Sequence, residues 1–193
     1  MLPMKVGVLA IQGDYDAHKR RLEELGAEVA LVRQPEQLDA VDALVIPGGE
    51  STTFLKFLEQ GGFLEKLRAF ARAKPTFGTC AGAILLAKEV ENPRQPSLEA
   101  LDVRIRRNAY GRQVESSIRE GETRLAGGPL EMVFIRAPRF ERVGADVEVL
   151  ASSQGEPVLV RQDKVLAATF HPELSADPRV HQEFLRMIAN GRG

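Results

Sequence analysis

An α/β domain on a mixed, mostly parallel sheet is the fold this sequence predicts, and three observations predict it. Short strands that are apolar on both faces, such as residues 5–11 and 43–46, alternate with helical patterns, as expected of strands sandwiched between helical layers. Glycine-rich turns follow three of these strands, at the carboxyl ends where open α/β sheets gather their functional groups. No Gly/Ser or charged linker interrupts the chain, so residues 1–193 are read as one domain.

The first strand runs into Gln12-Gly13 and then a helix with Leu22 and Leu25 on one face, closed by Gly26. Strands at 27–32 and 43–46 flank a connection containing Pro35. Pro47-Gly48-Gly49-Glu50-Ser51-Thr52-Thr53 opens a helix carrying Phe54, Leu55 and Leu58, with Ser51 or Thr52 as the expected cap and Gly61-Gly62 as the stop. A further helix runs to Ala73, and residues 75–78 form a strand that leads to Cys80 and another helix. After Glu91 helix signals weaken, and residues 103–105, 114–118, 132–135, 147–150, 158–160 and 165–170 read as strands. Asp177 as cap and Pro178 at the first position start the last helix, which ends near Asn190-Gly191.

With 44% hydrophobic residues, the 193-residue chain can bury one substantial core. Lys plus Arg number 26 against 27 Asp plus Glu, so the net charge of -1 gives no global attraction to nucleic acid or an anionic membrane. A single cysteine cannot form an intramolecular disulfide, and the N-terminus lacks a signal-peptide pattern; a cytoplasmic protein is expected. No apolar run approaches the roughly 20 residues of a membrane span.

The chemistry centres on Cys80. It sits at the apex of a strand–turn–helix, where the turn lifts a side chain out of the packed layers and the helix N-terminus favours a thiolate. A thiolate nucleophile needs a base and an orienter for that base. His171 follows the strand 165–170, and if Pro172 keeps the segment extended, Glu173 projects to the same side as the imidazole. His18 and His181 lie within helices and read as surface or interhelix packing. A zinc reading of Cys80, His171 and Glu173 finds no Cys-x-x-Cys or His-Glu-x-x-His spacing, so no metal is expected. The Ala81 N–H is one natural donor for an oxyanion, and the Gly48-Gly49 turn can bring a second to the same edge.

These segments together resemble the class I, triad-type glutamine amidotransferases, most closely the glutaminase subunits of two-component pyridoxal 5'-phosphate synthases. The resemblance runs through Gly7-Val8-Leu9-Ala10-Ile11-Gln12-Gly13, Pro47 to Thr53, Phe77-Gly78-Thr79-Cys80-Ala81-Gly82, Arg107-Asn108 with Gly111-Arg112-Gln113-Val114, Phe134-Ile135-Arg136-Ala137-Pro138, and Phe170-His171-Pro172-Glu173-Leu174. It implies a three-layer, flavodoxin-like domain with helices on both sheet faces. It implies that Cys80 attacks the side-chain amide of L-glutamine, that His171 moves the protons, and that Glu173 holds the imidazole. It further implies glutamine contacts from Gly49, Glu50, Ser51, Arg107, Ile135 and Arg136, with Gly48, Gly49 and Ala81 around the oxyanion. The implied partner is a (β/α)8-barrel synthase subunit that takes the ammonia and makes pyridoxal 5'-phosphate, which is therefore a product and not a cofactor; no cofactor is expected. Docking is implied to reorient the Gly48-Gly49 peptide, with Gln12 near the docking face. The competing readings are a glutaminase or γ-glutamyl hydrolase of another pathway, and a non-catalytic regulatory protein on the same scaffold.

Overall fold

The computed structural model describes residues 3–107 and 116–191. The expected strand at 114–118 and the motif residues Asn108 and Gly111 to Val114 fall wholly or partly outside them.

Elements follow in the order β1 (Lys5–Leu9), α1 (Tyr15–Glu24), β2 (Glu28–Val32), β3 (Ala43–Ile46), α2 (Ser51–Leu58), α3 (Phe63–Ala73), β4 (Thr76–Thr79), α4 (Ala81–Leu86), β5 (Ala87–Glu91) and β6 (Leu101–Arg106). Then come β7 (Ser117–Thr123), β8 (Leu130–Phe134), β9 (Arg139–Val143), β10 (Glu148–Ser153), β11 (Glu156–Gln162), β12 (Val165–Ala168) and α5 (Arg179–Asn190). The main sheet has the order β2-β1-β3-β4-β12-β11-β10-β7-β8. Its half from β2 to β12 is parallel, and the half from β12 to β8 is antiparallel. A second sheet, β5-β6-β9, packs against the main one through Val90, Val103, Ile105 and Phe140.

Alternation along the buried strands sorts side chains onto two faces. Val6 and Val8 of β1, Val45 of β3 and Leu166 of β12 meet Leu22 of α1 and Val180, Phe184 and Ile188 of α5. Leu9, Leu44, Ile46 and Ala167 face the other way, onto Phe54 and Leu58 of α2, Leu67 of α3 and Leu85 of α4. Each fully buried Leu, Ile or Phe in these layers contributes about 1.5–3 kcal/mol of burial.

Several local expectations change. Glu50, not Ser51 or Thr52, caps α2: its carboxylate accepts from Thr52 N at 2.9 Å and Thr53 N at 2.7 Å. Two charge-assisted bonds from successive amides outcompete a single hydroxyl acceptor. Helix α5 starts at Arg179, with Pro178 preceding it, although Asp177 Oδ1 still accepts the Arg179 N–H at 3.0 Å. The helix after Cys80 is only six residues long and passes directly into β5, which the apolar run 83–87 concealed.

Candidate active site

Cys80 has φ 51° and ψ −107°, a conformation that side-chain-bearing residues rarely adopt and that lifts the thiol above the sheet edge. The turn is held from below. Cys80 N donates to Ala168 O at 2.9 Å, and a Cβ on Gly82 would lie 2.0 Å from the Ile46 carbonyl oxygen, so α4 sits directly on the end of β3. Only glycine permits that approach.

His171 lies three residues beyond β12, on the strand beside β4. Its N–H donates to Val133 O at 2.8 Å, so β8 of the antiparallel half fixes its backbone. Contrary to the extended geometry expected, residues Pro172–Leu174 form a single 3-10 turn, and that turn brings Glu173 back under the imidazole. Proline fixes φ near −65°, which suits the first position of such a turn. His171 Nδ1 is 2.5 Å from Glu173 Oε1, leaving Nε2 for Cys80. Burial opposes charge on the imidazole, but hydrogen bonds with Cys80 and Glu173 overcome it and raise the His171 pKa to about 10. The imidazolium is therefore the favoured form at neutral pH.

A cavity of about 590 Å³ opens over the thiol, lined by Asp14, Gly49, Glu50, Cys80, Ala81, Arg107, Ile135, Arg136 and His171 among others. A second cavity, about 530 Å³, lies at the opposite, amino ends of β3, β4 and β12, beside Lys74 and Lys164. It shares no residue with the first and none of the predicted chemistry. Arg107 departs from its basic neighbours: Arg104 and Arg106 pair with Glu89, Glu91 and Glu141, whereas Arg107 turns to the cavity and donates to Thr52 Oγ1 at 3.1 Å. Partial burial lowers its pKa, with the Glu50 charge acting in the opposite sense. Ile135 O lies 3.9 Å from Cys80 Sγ, and the exposed Arg136, at φ 46°, follows it.

The glycine pair lies against both reacting groups. A Cβ on Gly48 would fall 2.7 Å from His171 Cε1 and 3.1 Å from the Cys80 Cβ. A Cβ on Gly13 would fall 1.6 Å from the Gly48 carbonyl oxygen, so that oxygen rests on the Gly13 backbone and the Gly49 N–H of the same peptide points the other way. Gln12 Nε2 donates to Glu50 O at 2.5 Å, tying this loop to the turn after β1. Ser51 starts α2. Ala81 is the first residue of α4, where N–H groups lack intrahelical partners.

Asp14 escaped the sequence reading as a cavity residue, and His18 and His181, expected as surface or interhelix packing, meet each other. Asp14 lines the cavity, with Oδ2 3.9 Å from His171 Nδ1. Its carboxylate, His171 and Glu173 form a group that could hold a cation, but His171 Nδ1 and Glu173 Oε1 are already bonded to each other. His18 and His181 pack between α1 and α5, completely buried and bonded through Nδ1 and Nε2 at 2.9 Å. The signal for His18 was its place four residues before Leu22, on the apolar stripe of α1. Burial lowers both pKa values to about 3.

That shift sets an acid limit on stability. Above the unfolded-state value near 6.5, both states are neutral at these rings; as pH falls below it, the unfolded chain takes up protons that the folded chain refuses until about pH 3. Stability should decline through this window by about 1.4 kcal/mol per pH unit for each ring. Denaturant titrations at pH 7.5 and 5.5 should show the loss, and His181→Gln should reduce it. An unchanged slope in the variant would refute the assignment.

The SNO glutamine amidotransferase family matches residues 8–190. A protein named pyridoxal 5'-phosphate synthase subunit PdxT from Koribacter versatilis is 65% identical over 188 residues, covering 97% of each chain. A protein of the same name from Thermosipho africanus is 50% identical, covering 96% of this chain and 99% of its own. A crystal structure of a glutamine amidotransferase superposes with a TM-score of 0.89 at 50% identity, covering 95% of this chain and 98% of that one. PurLQS from Thermotoga maritima, at 16% identity and a TM-score of 0.72 over 100% of both chains, shares the fold.

Proposed function

The chain belongs to the SNO glutamine amidotransferase family, and from that premise we propose that it hydrolyses L-glutamine and delivers the ammonia to a pyridoxal 5'-phosphate synthase. The observation that carries this reading is the joining of Cys80, His171 and Glu173 on adjacent strand ends beneath one cavity. Cys80 sulfur attacks the side-chain amide carbon, and the carbonyl electrons move to oxygen, facing the Ala81 N–H and the Gly48-Gly49 loop. The intermediate collapses to a glutamyl thioester as the C–N bond breaks, and the His171 proton goes to the departing nitrogen as ammonia leaves. Water gives a proton to His171 as it attacks the thioester, the C–S bond breaks, and glutamate leaves with the sulfur and the protonated imidazole returned to their starting state. Glu173 holds the imidazole by accepting from Nδ1 throughout.

Glutamine occupies the cavity, with its α-carboxylate reached by the fixed donors of Arg107 or Arg136, beside Gly49, Glu50 and Ile135; Ser51 follows Glu50 at the start of α2. The partner is a (β/α)8-barrel synthase subunit, and residues 1–193 act as one glutaminase domain in the cytoplasm. In support, relatives carry the synthase-subunit name over nearly their full lengths, and among the described residues no helix is long and apolar enough to cross a membrane. Ammonia and glutamate release should be measured with the purified chain, alone and mixed with the barrel subunit. Activity that rises with the barrel is expected; none in either mixture would reject the reading.

Gln12 couples the docking face to the site, because its side-chain amide bonds the Glu50 carbonyl beside the glycine pair. Gln12→Ala should reduce activation by the barrel severalfold while changing stability by less than about 1 kcal/mol, since the group is half-buried and makes one neutral bond. Undiminished activation would exclude Gln12 from the coupling.

A further inference from the structure

Glu173 has two oxygens, and only one serves His171. Oε2 is fully buried, and the polar group facing it is His18 Nε2 at 3.4 Å, which is also 3.2 Å from Thr79 Oγ1, the residue before the nucleophile. On its far side, His18 Nδ1 meets His181 Nε2. Helix α1 is clamped to the same segment by Arg21, whose guanidinium donates to Ser175 O and Asp177 O at 2.8 and 2.9 Å. His18 thus sits behind the orienting carboxylate on a rigid support.

We infer that His18 is a positioning residue for Glu173, held by His181 in the tautomer that carries its proton on Nε2. The hydrogen bonds permit two arrangements. If the His18 proton were on Nδ1, a lone pair on Nε2 would face the buried carboxylate, and two acceptors would be opposed in a dry site. With the proton on Nε2, that N–H bonds Thr79 Oγ1 and keeps its positive end 3.4 Å from Glu173 Oε2, which has no hydrogen bond of its own, and Nδ1 accepts from His181 Nε2–H, so both N–H dipoles lie with their positive ends toward the carboxylate. The remaining atom fits: His181 Nδ1 has no partner, and in this arrangement it is a bare acceptor rather than a stranded N–H. The edges of His18 and His181 against the Phe77 ring supply the apolar wall that keeps both rings neutral. Charged groups facing the pair are Glu173 and His171 on the segment after β12 and Arg21 on α1. Without the Nε2–H dipole, nothing of opposite sign would face the buried Oε2 from this side, and Glu173 would be drawn from the orientation that aligns His171.

This rests on Glu173 orienting the base, and the test separates the two. In the free protein, ¹⁵N spectra of histidine-labelled wild type at pH 7.5 should show His18 neutral and protonated on Nε2; protonation on Nδ1 would overturn the inference whatever the activity. In the barrel-activated complex, His18→Leu should lower kcat by about ten- to a hundredfold with KM nearly unchanged. His18→Gln, which retains an N–H donor, should recover most of the loss. Equal losses in the two variants, or full activity in a folded His18→Leu, would reject a positioning role. A wild type without glutaminase activity would reject the function instead, leaving the tautomer measurement to decide the inference.

Discussion

Cys80→Ala should abolish glutamine hydrolysis, lowering kcat by at least about ten-thousandfold, while changing stability by no more than about 1–2 kcal/mol. The chain has no second thiol, so nothing can replace the sulfur in thioester formation. The structural cost is small because the polar partners of Cys80 Sγ are the His171 ring and, at long range, Ile135 O, and alanine carries the same Cβ through the same unfavourable φ of 51°. Ammonia release in the barrel-activated complex, with a thermal melt of the same preparation, separates chemistry from folding. Residual turnover above one part in a hundred would mean that the attacking group lies elsewhere.

Gly48→Ala should also damage activity, with a loss of about a hundredfold in kcat. Its new methyl would press on His171 Cε1 at 2.7 Å and on the Cys80 Cβ at 3.1 Å, so the base, the nucleophile or the loop between them must give way. A displacement of about 1 Å in a reacting group costs on the order of a hundredfold. Because the affected contacts, though buried, lie beyond the end of β3 and in neither apolar layer, the melting temperature should move little. A variant with wild-type turnover would show that the loop yields without disturbing the pair.

The parallel half of the fold was legible because both faces of its strands are buried: Val6, Val8 and Leu9, or Leu44 and Val45, leave no polar alternation to misread. The meeting of Cys80 and His171 was legible for another reason: Cys80 stands in a glycine-flanked turn between a strand and a helix, and His171 at the end of the apolar run 165–170. What failed was decided across space. The capping of α2 by Glu50 depends on where the carboxylate lands relative to two amides; the His171–Glu173 pairing was foreseen, but through an extended segment and not the 3-10 turn around Pro172 that makes it. Strand β9 was missed because its pattern, Arg139-Phe140-Glu141-Arg142-Val143, buries only Phe140 fully. His18 and His181 were read as packing residues, which they are. The sequence could not show that α1 and α5 bring the two rings together, because 163 positions separate them.

The attachment of Cys80 and His171 to neighbouring strands has a consequence for how such a protein can be controlled. Thr79 and Ala168 are partners across the β4–β12 ladder, and Cys80 N closes the next bond to Ala168 O. The gap between nucleophile and base is therefore gauged by the spacing of the sheet itself, about 4.8 Å from strand to strand, a dimension that no ligand can stretch without tearing hydrogen bonds. The adjustable parts hang outside that gauge, in the turn at Gly48-Gly49 and in the bend at Ile135 and Arg136. A partner that presses only on those turns changes what surrounds the pair, while the ladder beneath it keeps the spacing constant.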